Sequence, residues 1–205
     1  MRGSNVRVEL FFDVGSPYSY LASTQIPGLR ERTGASVRLR PFLLGAVLKE
    51  TGNDAPARVA PKARWMLSDL QRWAARYGVP FRMSSRFPVN TLGAQRALCA
   101  AEQLFGDEAM ERLAAELFRA MWVEDRDLTS GDELAFAANA AGLDAGALAG
   151  AVSDPGVKER LREATAEAIA RGAFGAPTFF VGDAMFWGND RLALLEEHVR
   201  TIQAS

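Results

Sequence analysis

The segment Asp13-Val14-Gly15-Ser16-Pro17-Tyr18-Ser19-Tyr20 has the clearest capacity for chemistry in this chain. Serine at an N-cap with proline at the next position is a strong helix start. The free N–H groups and the positive dipole end at such a start stabilise an anion, a thiolate included. Ser16 adds a hydroxyl donor there. The plainer reading leaves Ser16 as an N-cap only, bonded to the amide of Ser19.

Gly175-Ala176-Pro177-Thr178 is a second candidate. A cis bond before Pro177 would turn the Ala176 backbone into a site, whereas a trans proline would simply open a strand. Trp187-Gly188-Asn189-Asp190-Arg191 is a third. Asn189 or Asp190 can cap the last helix, and Asp190 can also face an ammonium group. Lys49, Gly52, Asn53 and Lys62 lie in a polar stretch, suited to a carboxylate or simply solvated. The single cysteine, Cys99, sits in Ala97-Leu98-Cys99-Ala100-Ala101 and reads as a small buried hydrophobe. The single histidine, His198, falls near the end of the last helix. That leaves no Ser-His-Asp hydrolase and no Cys/His zinc site. Trp65, Trp73, Trp122 and Phe118 read as core.

These residues need elements to position them. Val6-Arg7-Val8-Glu9-Leu10-Phe11-Phe12-Asp13 alternates, then turns apolar, and reads as a strand buried at its end. A helix from Ser16 to about Arg32 and a strand at Val37-Arg38-Leu39-Arg40-Pro41-Phe42 complete a βαβ unit. From about Lys49 to Arg171 the pattern is almost wholly helical. It is punctuated by Gly78-Val79-Pro80, Gly106-Asp107, Gly131-Asp132 and Gly142-Leu143-Asp144. Asp154-Pro155 opens one more helix. Thr178-Phe179-Phe180-Val181, Gly182-Asp183 and Ala184-Met185-Phe186-Trp187 read as a hairpin. Leu192, Leu195, Val199 and Ile202 stripe a final helix.

The totals fit this plan. A chain of 205 residues with 48% hydrophobic and 24% charged residues is ordinary for a globular protein. A net charge of -1 gives no reason to expect nucleic acid or an anionic membrane. The start, Met1 to Arg7, has no apolar core or cleavage site of a signal peptide. No apolar run reaches the roughly 18 residues of a membrane span. A lone cysteine gives no disulfide, so a cytoplasmic location is expected.

Together the motifs resemble a known family. Phe11-Phe12-Asp13 with Ser16-Pro17-Tyr18-Ser19-Tyr20-Leu21 is similar to the active-site opening of kappa-class glutathione transferases and 2-hydroxychromene-2-carboxylate isomerases. These form the serine-bearing branch of the DsbA-like group. Phe174-Gly175-Ala176-Pro177-Thr178 is similar to their cis-proline segment, and Phe186-Trp187-Gly188-Asn189-Asp190-Arg191-Leu192 to their last active-site loop. Pro41-Phe42-Leu43-Leu44-Gly45 and Asp69-Leu70-Gln71-Arg72-Trp73 are similar too.

The resemblance implies an α/β, thioredoxin-like fold with an inserted all-helical domain. Residues 1–48 and 172–205 would form the thioredoxin-like part and 49–171 the insertion. It implies glutathione as cofactor, a small aromatic substrate and a homodimer. Ser16 would hold the glutathione sulfur as thiolate. The Ala176 backbone, before a cis Pro177, would take its cysteinyl part. Asn189, Asp190 and the backbone of Trp187 and Gly188 would take the γ-glutamyl end, and Lys62 the glycyl carboxylate. Gly52 and Asn53 would border the acceptor, with Lys49 and Pro80 nearby. Redox relatives carry Cys-x-x-Cys where this chain has Ser16-Pro17-Tyr18-Ser19, so the sulfur must be borrowed. Reversible addition of that sulfur would isomerise 2-hydroxychromene-2-carboxylate to trans-o-hydroxybenzylidenepyruvate, a step of naphthalene-type catabolism. The competing readings are a kappa-like transferase, a non-catalytic glutathione-binding protein and, third, a thiol–disulfide oxidoreductase.

Overall fold

A computed structural model describes residues 6–204; Met1 to Asn5, read above as lacking a leader, lie outside the described residues. The first strand, β1 (Arg7–Phe12), pairs in parallel with β2 (Ser36–Pro41), setting Val8 opposite Val37 and Leu10 opposite Leu39. On its other side β1 runs antiparallel to β3 (Thr178–Val181), which pairs with β4 (Ala184–Trp187). The sheet order is β2-β1-β3-β4. The hairpin turns at Gly182, whose φ of +57° suits a residue without a side chain.

Alternation along β1 divides the core. Val8, Leu10 and Phe12 join the larger cluster, whereas Phe11 packs with Phe42, Val47, Ala168, Ala173 and Phe180 on the opposite face. Ion pairs roof that smaller cluster. Glu9 receives Arg40 and Arg171, each at 2.7 Å, and the Arg171 guanidinium lies 3.9 Å from the centre of the Phe180 ring.

The helix expected from Ser16 to Arg32 is broken. It forms α1 (Pro17–Ser23) and α2 (Ile26–Thr33), the second carrying proline in its first turn. Pro27 has no N–H for a helical bond, and its ring obstructs the carbonyl four residues back, so one continuous helix cannot pass through it. After β2 comes α3 (Leu44–Thr51) and a short turn at Pro56–Arg58. Then follow α4 (Ala60–Tyr77), α5 (Leu92–Phe105), α6 (Asp107–Trp122), α7 (Gly131–Ala140), α8 (Ala145–Ala151) and α9 (Pro155–Ala170). The last helix, α10 (Leu192–Ala204), buries Leu195 and Val199.

The expectation that the tryptophans are core holds in part. Trp122 and Phe118 are buried and Trp73 packs at the margin, but Trp65 is 60% exposed. Helical spacing explains the miss. Met66, Leu70 and Ala74 occupy the buried face of α4, and Trp65 lies about 100° round from Met66. Among the described residues no helix is long and apolar enough to cross a membrane.

Candidate functional site

The N-terminus of α1 is where distant parts of the chain converge. Ser16 has extended dihedrals and is 4% exposed. Its Oγ accepts a hydrogen bond from the Ser19 N–H at 3.1 Å and donates one to the Ala176 carbonyl at 3.1 Å. Capping and reach into a site are therefore both properties of one hydroxyl. The Ala176–Pro177 bond is cis. Pairing with β1 begins at Thr178, so Ala176 stands outside the ladder. The Pro177 carbonyl accepts from the Gly188 N–H at 3.0 Å, which ties the third sequence motif to the second.

Beside this junction, Trp187 closes over Gly175. A Cβ at Gly175 would lie 2.5 Å from the indole Nε1, so no other residue fits without moving the ring. The indole packs against Phe174 with ring centres 4.8 Å apart. Asn53 Nδ2 donates to the Phe174 carbonyl at 2.9 Å, joining the loop after α3 to the same segment.

The turn that presents Ser16 is held from behind by the helices. Asp13 is buried, and its carboxylate accepts from the N–H groups of Gly15 and Leu44, both at 2.9 Å. Burial pushes the Asp13 carboxyl up from its ordinary value, outweighing those donors and the Thr91 hydroxyl. Gln95 of α5, fully buried, donates from Nε2 to the carbonyls of Phe12 (2.9 Å) and Phe42 (2.7 Å). Trp122 of α6 donates from Nε1 to the Val14 carbonyl at 2.8 Å.

All three tyrosines of the chain bridge to or from the α4 region. Tyr18 of α1 donates to Asp69 Oδ2 at 2.9 Å. Tyr20 donates to the carbonyl of Pro80, just past α4. Tyr77 donates to the Asn189 carbonyl at 3.0 Å. Burial raises each phenol's pKa, and for Tyr18 the bond to Asp69 and the charge of Asp190 push further the same way.

The expected residues are thus brought together unequally. Ser16, Ala176, Pro177, Trp187, Gly188 and Asn53 are linked by the contacts above. Asn189 is 2% exposed and turns its side chain to the Tyr77 hydroxyl, 3.4 Å away, instead of capping α10. Asp190 is exposed and pairs with Arg191 at 2.7 Å, within electrostatic reach of Tyr18 and Tyr77. Lys62 is exposed on the first turn of α4 and lies seven residues before Asp69, two turns away on the same flank. Lys49 and Gly52 end α3 in solvent. Pro80 lies beyond the opposite end of α4 from Lys62.

A cleft of about 430 Å³ lies elsewhere, between β2, α5 and α9. Its Arg38, Arg40 and Arg160 are paired with Glu102 and Glu167, and the Cys99 thiol at its base is pushed up to about 12 by burial. Sequence reasoning missed Gln95, Trp122, Tyr18 and Asp69 as supports of the site. Tyr18 and Asp69 lay in motifs that resemblance had flagged; Gln95 and Trp122 did not, because they act on partners remote in the chain.

The family described as a DSBA-like thioredoxin domain matches residues 7–200. The chain belongs to that family. Among DSBA-like relatives it is 37% identical to a 2-hydroxychromene-2-carboxylate isomerase of Sphingobium xenophagum, over 94% of this chain and 97% of the relative. It is 32% identical to glutathione S-transferase kappa 1 of Rattus norvegicus, over 92% and 88% respectively. A solved structure of a 2-hydroxychromene-2-carboxylate isomerase superposes with a TM-score of 0.87 at 30% identity, covering 96% of this chain and 95% of that one. The thioredoxin-like sheet interrupted by helices agrees with the DSBA-like fold expected from the motifs.

Proposed function

We propose that the protein is a glutathione-dependent isomerase that converts 2-hydroxychromene-2-carboxylate to trans-o-hydroxybenzylidenepyruvate. The observation that carries this reading is the Ser16 hydroxyl at the start of α1, aimed at the carbonyl before Pro177. The position holds a donor and no thiol. Similarity over nearly the whole chain to the Sphingobium isomerase supports the substrate.

The residues present fit glutathione. Ala176 offers backbone outside the ladder, the exposed Asp190 carboxylate suits an ammonium group, and Lys62 suits a carboxylate. Bound there, glutathione would supply a soft sulfur nucleophile for reversible addition to a conjugated double bond. The chain's part is to keep that sulfur ionised. Ser16 would exchange its bond to the Ala176 carbonyl for one to the sulfur, and the positive dipole end at the start of α1 would favour the same negative charge. Gln95, Trp122 and Asp13 hold the turn so that no reorganisation is needed at that moment. Ser16 is an activator, not the attacking atom. The same reading makes the working unit a cytoplasmic homodimer, which light scattering on purified protein would check.

The test is turnover of 2-hydroxychromene-2-carboxylate followed by absorbance, with and without glutathione, for the native protein and Ser16→Ala. The expected result is isomerisation only with glutathione, falling by roughly 100-fold in the variant, as for loss of one donor to a developing anion. Equal rates without glutathione would sink the proposal. The second reading, a kappa-like transferase, is favoured by the rat relative; accumulation of a stable conjugate with an electrophile would select it.

A further inference from the structure

Trp187 is 45% exposed on an edge strand, an expensive way to leave the largest side chain unless something covers it. Its position is enforced. Gly175 leaves room for the indole, and Phe174 backs it at 4.8 Å between ring centres. Asn53 fixes the Phe174 carbonyl from another loop. The residue after Gly175 is Ala176, whose carbonyl receives the Ser16 hydroxyl at 3.1 Å. The indole is thus one residue of chain removed from the carbonyl that Ser16 touches. Trp65 is more exposed still, at 60%, but among the described residues no hydrogen bond or ring contact connects it to these residues.

We infer that the Trp187 indole, backed by Phe174, is the platform on which a planar conjugated aromatic carboxylate stacks, so that Trp187 sets acceptor specificity. This rests on the isomerase reading and adds the wall that orients the acceptor. Stacking would fix the plane of the ring and leave its other face uncovered, the direction from which a thiolate adds to a conjugated double bond. Gly175 is part of the device, since any side chain there would push the indole away.

The test uses trans-cinnamate, a flat aromatic acid, titrated by calorimetry and by tryptophan emission into glutathione-saturated protein. The native protein, Trp187→Leu, Trp187→Phe, Gly175→Ala and Trp65→Leu are compared, with glutathione affinity measured separately in each. The expected result is about a ten-fold loss of cinnamate affinity in Trp187→Leu and Gly175→Ala, in the range that aromatic stacking and ring burial supply. Trp187→Phe should recover most of it, Trp65→Leu should keep it, and in Trp187→Leu the loss of cinnamate affinity should exceed any loss of glutathione affinity at least about five-fold. Unchanged cinnamate binding in Trp187→Leu would overturn the platform. So would a loss confined to Trp65→Leu, a parallel loss of glutathione affinity, or no cinnamate binding by the native protein. Turnover of the native protein is read alongside. Its absence with cinnamate binding as expected would sink the isomerase reading and leave the platform standing.

Discussion

Ser16 and Ser19 occupy the two positions that carry thiols in the redox members of this fold, and they have different fates. Ser16 Oγ has two partners, whereas Ser19 Oγ is buried with none among the described residues. A buried hydroxyl without a partner costs its desolvation, about 1–3 kcal/mol, and returns nothing. Ser19→Ala should therefore unfold in urea no earlier than the native protein. A loss of more than about 1 kcal/mol would instead show that the hydroxyl has a partner in solution. The sequence marked both serines through the helix start, because capping is local and reads from adjacent residues. Their difference could not be read, since it depends on Ala176, which lies 160 positions from Ser16.

At the scale of elements, the turn before α1 depends on α5. Gln95 serves carbonyls 83 and 53 positions away with one amide group. Gln95→Leu keeps the volume and leaves Phe42 O without that donor and Val14 N–H without its acceptor. The expected cost is about 2 kcal/mol, measured by urea unfolding. Isomerisation should also slow in the folded fraction, because the turn bearing Ser16 loosens. A stability loss with full activity would show that the helix holds the fold and not the site. Element boundaries were largely legible for the opposite reason. Asp154 with Pro155, the glycine stops and the Gly182-Asp183 turn all act within a few residues. Pro27 was as visible, yet the strong start signal at Ser16-Pro17 masked the break it makes. Trp65 was assigned to the core because aromatic residues at helical spacing usually face inward, and one position of rotation separates it from that face.

At the scale of the molecule, two halves have to stay aligned for the site around Ser16 to keep its shape. The strands and α1 form one half, and α4 crosses above α1 with a buried face of only Met66, Leu70 and Ala74. Polar contacts must supply the rest, and three phenols do so. This has a spectroscopic reading. The chain has no other tyrosine, and all three hydroxyls hold their protons more tightly than a free phenol. A proton retained in the folded state beyond the unfolded value of about 10 contributes stability below that pH. That contribution is lost as pH rises through the folded values, so alkali should loosen α4. Tyrosinate absorbance should accordingly stay flat through pH 10 in the native protein, then rise steeply as the halves part. The ultraviolet spectrum thus becomes a gauge of whether the two halves are joined, with no label added, because the four tryptophans absorb there but do not ionise. A smooth rise centred at pH 10, with the fold intact, would mean that the phenols hold nothing together.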